Sequence, residues 1–169
     1  MEDRDTTGIA VGHIGSPVGP LTLAASGTGL RAVVFGTIDA EELAARLGTR
    51  TVDAPRRLEA TEAQLGEYFR GERRDFHLDL DLDADTEFLR RVLTAMARIP
   101  YGHTLSYSEL AREAGSPGAV RAVGSACRRN PLPLVIPCHR VVRSDGSVGN
   151  YAGGTEAKRW LLRLETDHA

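Results

Sequence analysis

The sequence is poor in the residues that build disulfide frameworks and metal sites. It has only two cysteines, Cys127 and Cys138, in 169 residues, and its five histidines are scattered along the chain. Two cysteines cannot form a disulfide framework for a chain of this length, and free thiols suit a reducing compartment. Neither cysteine belongs to a Cys-x-x-Cys pair, so we expect no zinc site and no bound metal.

Long apolar runs are also missing. No stretch approaches the roughly 18 consecutive apolar residues that a membrane-spanning helix needs. Residues 1–15, MEDRDTTGIAVGHIG, have neither the basic start nor the apolar core of a secretory signal. We therefore expect a cytoplasmic protein with no membrane partner, associated with the nucleoid if the source is bacterial.

Charge is unevenly distributed along the chain, although the net charge is only −2. Residues 1–85 carry 9 Lys and Arg against 16 Asp and Glu, and residues 86–169 carry 12 against 7. A basic half beside an acidic half is typical of a protein in which one half meets a polyanion such as DNA. Chance variation between segments is the alternative that charge alone leaves open.

Residues 1–85 have the patterns of a small α/β domain. Three short apolar runs separated by Gly- and Pro-containing turns predict an antiparallel meander, followed by two helices and a strand. The predicted strands are 9–14, 21–26, 30–35 and 75–85, and the predicted helices are 39–48 and 56–71. The last strand, DFHLDLDLDAD, alternates strictly, which indicates one solvated face; a cation site at its aspartates is the weaker alternative.

Residues 86–169 are predicted to be mainly helical, so we place the domain boundary near residue 85. A helix begins after a Thr86 cap, and a second follows the capping box formed by Ser106 and Glu109. A third is predicted to begin with Ser116 as its cap and Pro117 at the first helical position. The last two helices, joined by a tight turn, have the pattern of a helix-turn-helix.

The third of these helices has an unusual composition. Its sequence, AVRAVGSACRR, sets arginines among small residues. Small residues let a helix backbone approach a surface closely, and arginines reach phosphates or enter a base stack. We favour DNA binding, while tight helix packing remains the structural alternative.

The stretch LVIPCHRV places Cys138 between a proline and a histidine, at the end of an apolar run. Free cysteine is among the most buried residue types and is usually inert. The composition of this stretch therefore leaves two interpretations open. Cys138 is either a small buried hydrophobe or a nucleophile at the end of a strand.

Four segments together resemble the O6-alkylguanine-DNA alkyltransferases, also called methylated-DNA–protein-cysteine methyltransferases. They are IPYGHTLSYSELA (99–111), RAVGSACRRNP (121–131), IPCHRVVRSDGSVGNYAGG (136–154) and KRWLLRLE (158–165). The resemblance implies an N-terminal ribonuclease H-like α/β domain, residues 1–85, and a C-terminal winged helix-turn-helix domain, residues 86–169. It also implies direct, irreversible transfer of an alkyl group from guanine O6 in double-stranded DNA to the protein, with O4-alkylthymine as a further substrate left open. No cofactor is implied, and one lesion per molecule suits a monomer.

The resemblance implies roles for several residues. Cys138 matches the alkyl acceptor, His139 the base that acts through a bridging water, and Glu165 the residue that orients His139. Tyr107 matches the position whose hydroxyl faces guanine N3 and gives a proton to the leaving base. Arg121 matches the arginine that fills the gap left by a flipped nucleotide, on a helix that enters the minor groove.

Further residues are implied around the substrate. Tyr151 packs against the base in the family pattern, the Ala152 N–H reaches O6, and Gly153 completes that loop. Asn130 is expected to hold the turn before the acceptor segment. The remaining substrate or DNA contacts implied are Arg128, Ala122, Val141 and Lys158.

The chain departs from the family pattern at Leu89 and Leu93, and at Cys127, which is either a packed thiol or a second alkylation target. Three other functions remain as alternatives. A non-catalytic alkylguanine sensor would lack Cys138, and a cysteine hydrolase would need a direct Cys138–His139 dyad, which adjacent strand residues disfavour. A winged-helix regulator would bind a specific DNA sequence with Cys138 merely buried.

Overall fold

The computed structural model describes residues 6–169, which divide into two units. The first unit ends at Asp83, and the second spans Ala84–Ala169. A small antiparallel sheet with helices forms the first unit, and the second is mainly helical. The predicted fold class is therefore confirmed.

Three strands form an antiparallel sheet in the first unit. They are β1 (Ala10–Ile14), β2 (Leu21–Ala25) and β3 (Leu30–Phe35), in the spatial order β1-β2-β3. All five residues of the central strand β2 are buried. Its one polar side chain, Thr22, donates a hydrogen bond to the Gly36 carbonyl over 2.8 Å. The apolar meander predicted from the sequence is confirmed.

The two helices predicted for the first unit are also present. They are α1 (Ala40–Arg46) and α2 (Glu59–Phe69), the latter preceded by a 3-10 turn at Pro55–Leu58. The Asp39 carboxylate caps α1 by accepting from the N–H groups of Glu41 and Glu42. Leu43 of α1 packs in the apolar cluster that contains Ile9 of the same unit.

The strand predicted at 75–85 is wrong. Only Leu80 pairs with the sheet, in a single bridge to Leu30, and Leu80 itself is 39% exposed. The alternating leucines therefore do not cover one buried face. Asp81 is not simply solvated, because it accepts a 2.6 Å hydrogen bond from Ser26 and lies 3.6 Å from Arg31. The segment is attached to the sheet by these side-chain contacts and by two backbone hydrogen bonds of the bridge, both at 2.9 Å, from the Leu30 N–H to the Asp79 carbonyl and from the Asp81 N–H to the Leu30 carbonyl.

The second unit contains four helices and two short strands. They are α3 (Glu87–Ala97), β4 (Leu105–Ser106), α4 (Tyr107–Glu113), α5 (Val120–Arg128), β5 (Val141–Val142) and α6 (Thr155–Asp167). Thr86 caps α3 by accepting from the Leu89 N–H, and Ser106 and Glu109 form both hydrogen bonds of the predicted capping box. Both caps agree with the sequence prediction, because each cap depends on two residues only three positions apart.

The predicted start of the third helix is wrong. Helix α5 begins at Val120, and Ser116–Ala119 form a turn closed by the Ala119 N–H on the Ser116 carbonyl, at 2.9 Å. Pro117 and Gly118 occupy the two central positions of this turn. Proline suits the first of these, and glycine weakens helix propensity, so the same residues that resemble a helix start make a turn here.

The segment LVIPCHRV does not form the strand that its apolar run predicts. Leu134 has a positive φ of 76°, and Cys138–Arg140 form a single 3-10 turn. Prolines on either side of Leu134 remove backbone donors that a strand ladder requires. Only β5 is extended, and it pairs in parallel with β4, so that Ser106 lies opposite Val142. This pairing brings the start of α4 beside the Cys138 turn.

Candidate active site

A cavity of about 560 Å³ opens in the second unit, lined by residues of α4, of α5 and of the segments on either side of β5. Seven of the predicted site residues line it: Tyr107, Arg121, Arg128, Asn130, Cys138, Tyr151 and Ala152. The other predicted residues lie outside its lining: Ala122, His139, Val141, Gly153, Lys158 and Glu165. The structure therefore brings the Cys138 thiol and two arginines of α5 to one cavity.

Cys138 is the first residue of the 3-10 turn, and 8% of its surface is exposed. Burial raises the pKa of the thiol, while a hydrogen bond with Asn130 and the charge of Lys158 act in the opposite direction. A thiol with a raised pKa is protonated at neutral pH. It therefore needs a base before it can act as a nucleophile.

Asn130 links the two ends of the loop that precedes Cys138. Its Nδ2 donates to the Ile136 carbonyl at 2.9 Å, and its Oδ1 accepts from the Leu132 N–H at 3.0 Å. The Ile136 carbonyl also accepts the backbone N–H of Cys138, at 2.8 Å. The Asn130 side chain and the Cys138 backbone thus share one acceptor, which ties the position of the thiol to the end of α5.

His139 is fully buried, and its Nε2–H donates to Glu165 Oε2 over 2.6 Å. An ionised carboxylate only accepts, so this contact assigns the ring proton to Nε2. Burial lowers the pKa of His139, which the hydrogen bond to Glu165 offsets only in part. Burial alone would raise the pKa of Glu165, but hydrogen bonds from His139 and Arg140 bring it down to about 2. The pair is therefore a neutral imidazole held by a carboxylate, with Nδ1 as the nitrogen that can take up a proton.

Arg140 balances the charge of that carboxylate. Its Nε donates to Glu165 Oε1 at 2.8 Å and its Nη2 to Oε2 at 3.1 Å, while Nη1 donates to the Ile99 carbonyl at 2.6 Å. The guanidinium also lies 5.6 Å from the centre of the Tyr101 ring. No role was predicted for Arg140. The available signal was a basic residue within the apolar run IPCHRVV, where a buried charge needs a partner.

Lys158 and Val141 have positions different from those expected of DNA contacts. Both side chains are fully buried, and Lys158 Nζ donates to the Val141 carbonyl at 2.6 Å and to the Asn150 carbonyl at 3.3 Å. Burial lowers the pKa of Lys158 to about 8. A buried ammonium is poorly placed to reach a phosphate, and the assignment of Lys158 as a substrate or DNA contact stays a prediction. Lys158 connects β5 to the loop that carries Tyr151.

Tyr107 is the first residue of α4 and lies at the cavity wall. Burial raises the pKa of its hydroxyl, and the charge of Arg143 acts against this increase. The Lys158 ammonium lies 6.0 Å from the centre of the Tyr107 ring. The hydroxyl is therefore un-ionised at neutral pH and able to donate a proton or a hydrogen bond into the cavity.

Helix α5 presents one face to the cavity and another to the core. Arg121 and Arg128 are exposed and line the cavity, together with Gly124 and Ser125 between them. Val123 of the same helix is fully buried. Ala122 is exposed but lies outside the cavity lining. Because these residues are small, few side-chain atoms project from the cavity face of α5, and another backbone can approach it closely.

The loop after β5 contributes Tyr151 and Ala152 to the cavity, whereas Gly153 lies outside it. The Tyr151 ring meets the His139 ring edge-on, with centroids 6.4 Å apart. Burial raises the pKa of the Tyr151 hydroxyl well above its usual value. Tyr151 thus both lines the cavity and packs against the ring of the buried His139.

Cys127 also lines the cavity, from helix α5. Its Sγ lies 3.7 Å from the sulfur of Met96, on the core side. Burial raises the pKa of this thiol to about 12. The thiolate form is therefore scarce at neutral pH, which favours the packing interpretation over a second acceptor.

Comparison with known proteins identifies the family. Residues 87–167 match the family model described as "6-O-methylguanine DNA methyltransferase, DNA binding domain". Residues 9–82 match a second model, described as "6-O-methylguanine DNA methyltransferase, ribonuclease-like domain". The chain belongs to the methylated-DNA–protein-cysteine methyltransferase family. The resemblance stated from the sequence motifs is therefore confirmed.

Relatives in this family match over most of their length. The methylated-DNA–protein-cysteine methyltransferase of Mycolicibacterium paratuberculosis is 43% identical over 156 residues, which cover 92% of both chains. The constitutive protein of that name from Bacillus subtilis is 47% identical over 69% of this chain and 70% of its own. The crystal structure of Mycobacterium tuberculosis OGT in complex with DNA aligns with a TM-score of 0.82 and 41% identity, covering 93% of this chain and 92% of that one.

Several residues of this family member line the cavity without having been predicted: Val120, Pro133, Arg143, Ser144 and Asn150. Arg143 and Ser144 follow β5 directly, so only the turn of the chain after the Cys138 segment brings them to the cavity. Their sequence signal is weak, since RSDGS reads as an ordinary surface turn.

Neither a metal site nor a membrane-spanning helix is found among residues 6–169. No group of three or more histidine, cysteine or acidic side chains in this part of the chain is placed to hold a metal ion. None of the helices described in the structure has the length and apolar character required to cross a membrane.

Proposed function

We propose that this protein repairs DNA by moving the alkyl group of O6-alkylguanine onto Cys138, once per molecule. The observation that carries the proposal is the placement of the Cys138 thiol in a cavity directly before the buried His139–Glu165 pair. Membership of the methyltransferase family supports the same chemistry. The product is a thioether, which no group in the site can reverse, so each molecule acts once.

The transfer is a displacement at the alkyl carbon. The sulfur of Cys138 forms a bond to that carbon while the bond from the carbon to guanine O6 breaks, and its electron pair goes to the guanine. The thiol proton passes through a bridging water to Nδ1 of the neutral His139, whose Nε2–H remains bound to Glu165. This arrangement of nucleophile, base and orienting residue is the general one for an activated nucleophile.

The leaving guanine gains negative charge and needs a proton. Tyr107 is proposed as the donor to guanine N3, because its un-ionised hydroxyl lies at the cavity wall. Tyr151 is proposed to pack against the base, with the backbone N–H of Ala152 donating to O6. Hydrogen bonds to a developing negative charge stabilise the transition state more than the ground state.

A guanine inside a duplex cannot reach a buried thiol, so the nucleotide must leave the helix first. We propose that α5 enters the minor groove and that Arg121 fills the space left by the flipped nucleotide. Arg128 and Ala122 would lie along the same groove. Flipping costs a few kcal/mol, and a long, permanently charged side chain in the gap offsets part of that cost.

The remaining parts of the proposal concern the whole molecule. We propose that the protein works as a monomer in the cytoplasm, on the chromosome, because one acceptor per lesion needs no second subunit. We also propose that the two units correspond to an N-terminal domain up to residue 85 and a DNA-binding domain from residue 86. The range of alkyl groups is set by the cavity around Cys138.

Intact-protein mass spectrometry tests the proposal. Wild type, Cys138→Ala and Cys127→Ala are incubated with a duplex that carries one O6-methylguanine. A gain of one methyl group is expected on wild type and Cys127→Ala, and none on Cys138→Ala. Lesion-specific binding without a mass gain would favour a sensor. If neither a mass gain nor lesion-specific binding is observed, a cysteine hydrolase or a winged-helix regulator is the remaining function. A mass gain that persists in Cys138→Ala would show that another residue accepts the methyl group.

A further inference from the structure

Arg143 is an exposed cation that lines the cavity. Its backbone is fixed in a tight turn, where its N–H donates to the Ser147 carbonyl and its own carbonyl accepts from Gly146, both at 2.9 Å. The side chain is exposed and makes no hydrogen bond or ion pair within residues 6–169. The nearest carboxylate along the chain, Asp145, accepts hydrogen bonds from the N–H and hydroxyl of Ser147. These hydrogen bonds lower the pKa of Asp145, and the charge of Arg143 adds to that effect without forming an ion pair.

Two hollows meet at this residue. Arg143 lines the cavity that holds Cys138, and it also lines a second hollow of about 440 Å³, shared with Arg159 and Asn150. Arg159 has only an exposed contact with Glu156, at 3.4 Å, and such pairs contribute little. The surface on the far side of Arg143 is therefore also cationic.

Gly149 shows how closely Arg143 approaches Tyr107. A Cβ built on Gly149 would lie 3.3 Å from the Tyr107 hydroxyl oxygen and 3.6 Å from Cγ of Arg143. With φ at +75°, Gly149 also has a conformation that other residues adopt at a cost. The Tyr107 hydroxyl and the stem of Arg143, which both line the cavity, thus lie close together on either side of Gly149.

We infer that Arg143 binds the phosphate attached to the flipped nucleotide and so holds the guanine over Cys138. This inference rests on the proposed function. A guanidinium matches phosphate oxygens with two parallel hydrogen bonds. A flipped nucleotide carries its phosphate out with it, to the rim of the cavity, where Arg143 lies. Arg121 and Arg128 come from α5, whereas Arg143 comes from the turn after β5, so the nucleotide is held from two separate elements.

Arg143 then positions the DNA through a backbone phosphate and does not contact the base. A free O6-methylguanine base has no phosphate and cannot use the contact. For each phosphate contact removed, the slope of log K for DNA binding against the log of the salt concentration becomes less steep by about 0.9. Both properties separate a phosphate contact from an effect of Arg143 on Tyr107 or on the thiol.

The test compares single-turnover transfer for four proteins: wild type, Arg143→Ala, Arg143→Lys and Arg163→Ala. Arg163 is an exposed arginine of α6 that lines neither hollow, and it serves as the matched control. Each protein reacts with a duplex containing O6-methylguanine, at several salt concentrations below saturation, and with the free O6-methylguanine base. Thermal unfolding checks that all four are equally folded.

Arg143→Ala is expected to slow transfer from the duplex about tenfold, as for a lost hydrogen bond to a charged group, and to lower the salt dependence by about 0.9. Arg143→Lys should retain part of the rate. With the free base, Arg143→Ala should lose much less rate than with the duplex, because only its charge near Tyr107 then changes, and Arg163→Ala should lose none. An equal loss with the free base would overturn the inference, because Arg143 would then act on the chemistry. No loss with the duplex would overturn it as well. If wild type transfers from neither substrate, the proposed function itself fails, and this inference fails with it.

Discussion

His139 Nε2 lies 2.6 Å from Glu165 Oε2, and neither side chain has more than 1% of its surface exposed. Arg140, the next residue in the chain, donates to both oxygens of the same carboxylate. A permanent cation therefore balances the buried Glu165, and His139 need not be protonated to do so. The two neighbouring residues thus have separate roles. Arg140 compensates the charge of Glu165, and His139 stays neutral and available as a base.

The Arg140–Glu165 pair should be strongly coupled in stability. Arg140→Met and Glu165→Gln should each lower the free energy of unfolding by about 3–5 kcal/mol, because each leaves a buried polar group or charge uncompensated. The double variant should lose less than the sum of the two single losses. Urea unfolding of the four proteins provides the comparison. Strictly additive losses would show that the two side chains do not depend on each other.

The pH dependence of transfer should reflect a neutral His139 and a protonated Cys138. Burial lowers the pKa of His139, so protonation inactivates the base only below its usual value, and burial raises the pKa of Cys138, so the free thiolate stays scarce. The single-turnover rate constant should therefore be nearly flat between pH of about 6.5 and 8.5, the ordinary pKa values of a histidine and a cysteine side chain. A tenfold rise per pH unit across this range would instead indicate attack by a free thiolate without a base.

Asn130 should control the position of the acceptor. Asn130→Ala removes the hydrogen bonds to the Ile136 carbonyl and from the Leu132 N–H. The loss in unfolding free energy should be about 1–3 kcal/mol, and the transfer rate constant should fall with both duplex and free base. The neighbouring variant Arg129→Ala is the control, since it removes only an exposed pair with Asp85. Unchanged transfer in Asn130→Ala would show that Cys138 is held without it.

Arg121 should matter only when a duplex must be opened. Arg121→Ala should slow transfer from double-stranded DNA, because nothing then fills the gap left by the flipped nucleotide. Transfer from a single strand with the same lesion should be unchanged, as no gap forms there. Rapid-quench measurements on the two substrates give the comparison. A similar loss on both would mean that Arg121 contributes a general phosphate contact.

Local sequence signals predicted the parts of this fold that depend on near neighbours. The three strands of the meander follow from runs of branched residues between turns, and the Ser106–Glu109 capping box involves two residues three positions apart. The same kind of reasoning failed where local patterns were ambiguous. Pro117 fits both a helix start and a turn, and the alternating segment 75–85 pairs with the edge strand β3 at a single residue, so that no ladder forms.

Motifs and their spacing along the chain were enough to identify the family, the acceptor candidate Cys138 and the composition of α5, because they are properties of adjacent residues. Which charges are balanced, and where, depends on how distant elements pack. Glu165 meets Arg140 across 25 positions of chain, and Lys158 is buried against the Val141 carbonyl instead of reaching outward. Burial and pairing depend on which elements pack together, and so they set the pKa values and the partners that no local pattern records.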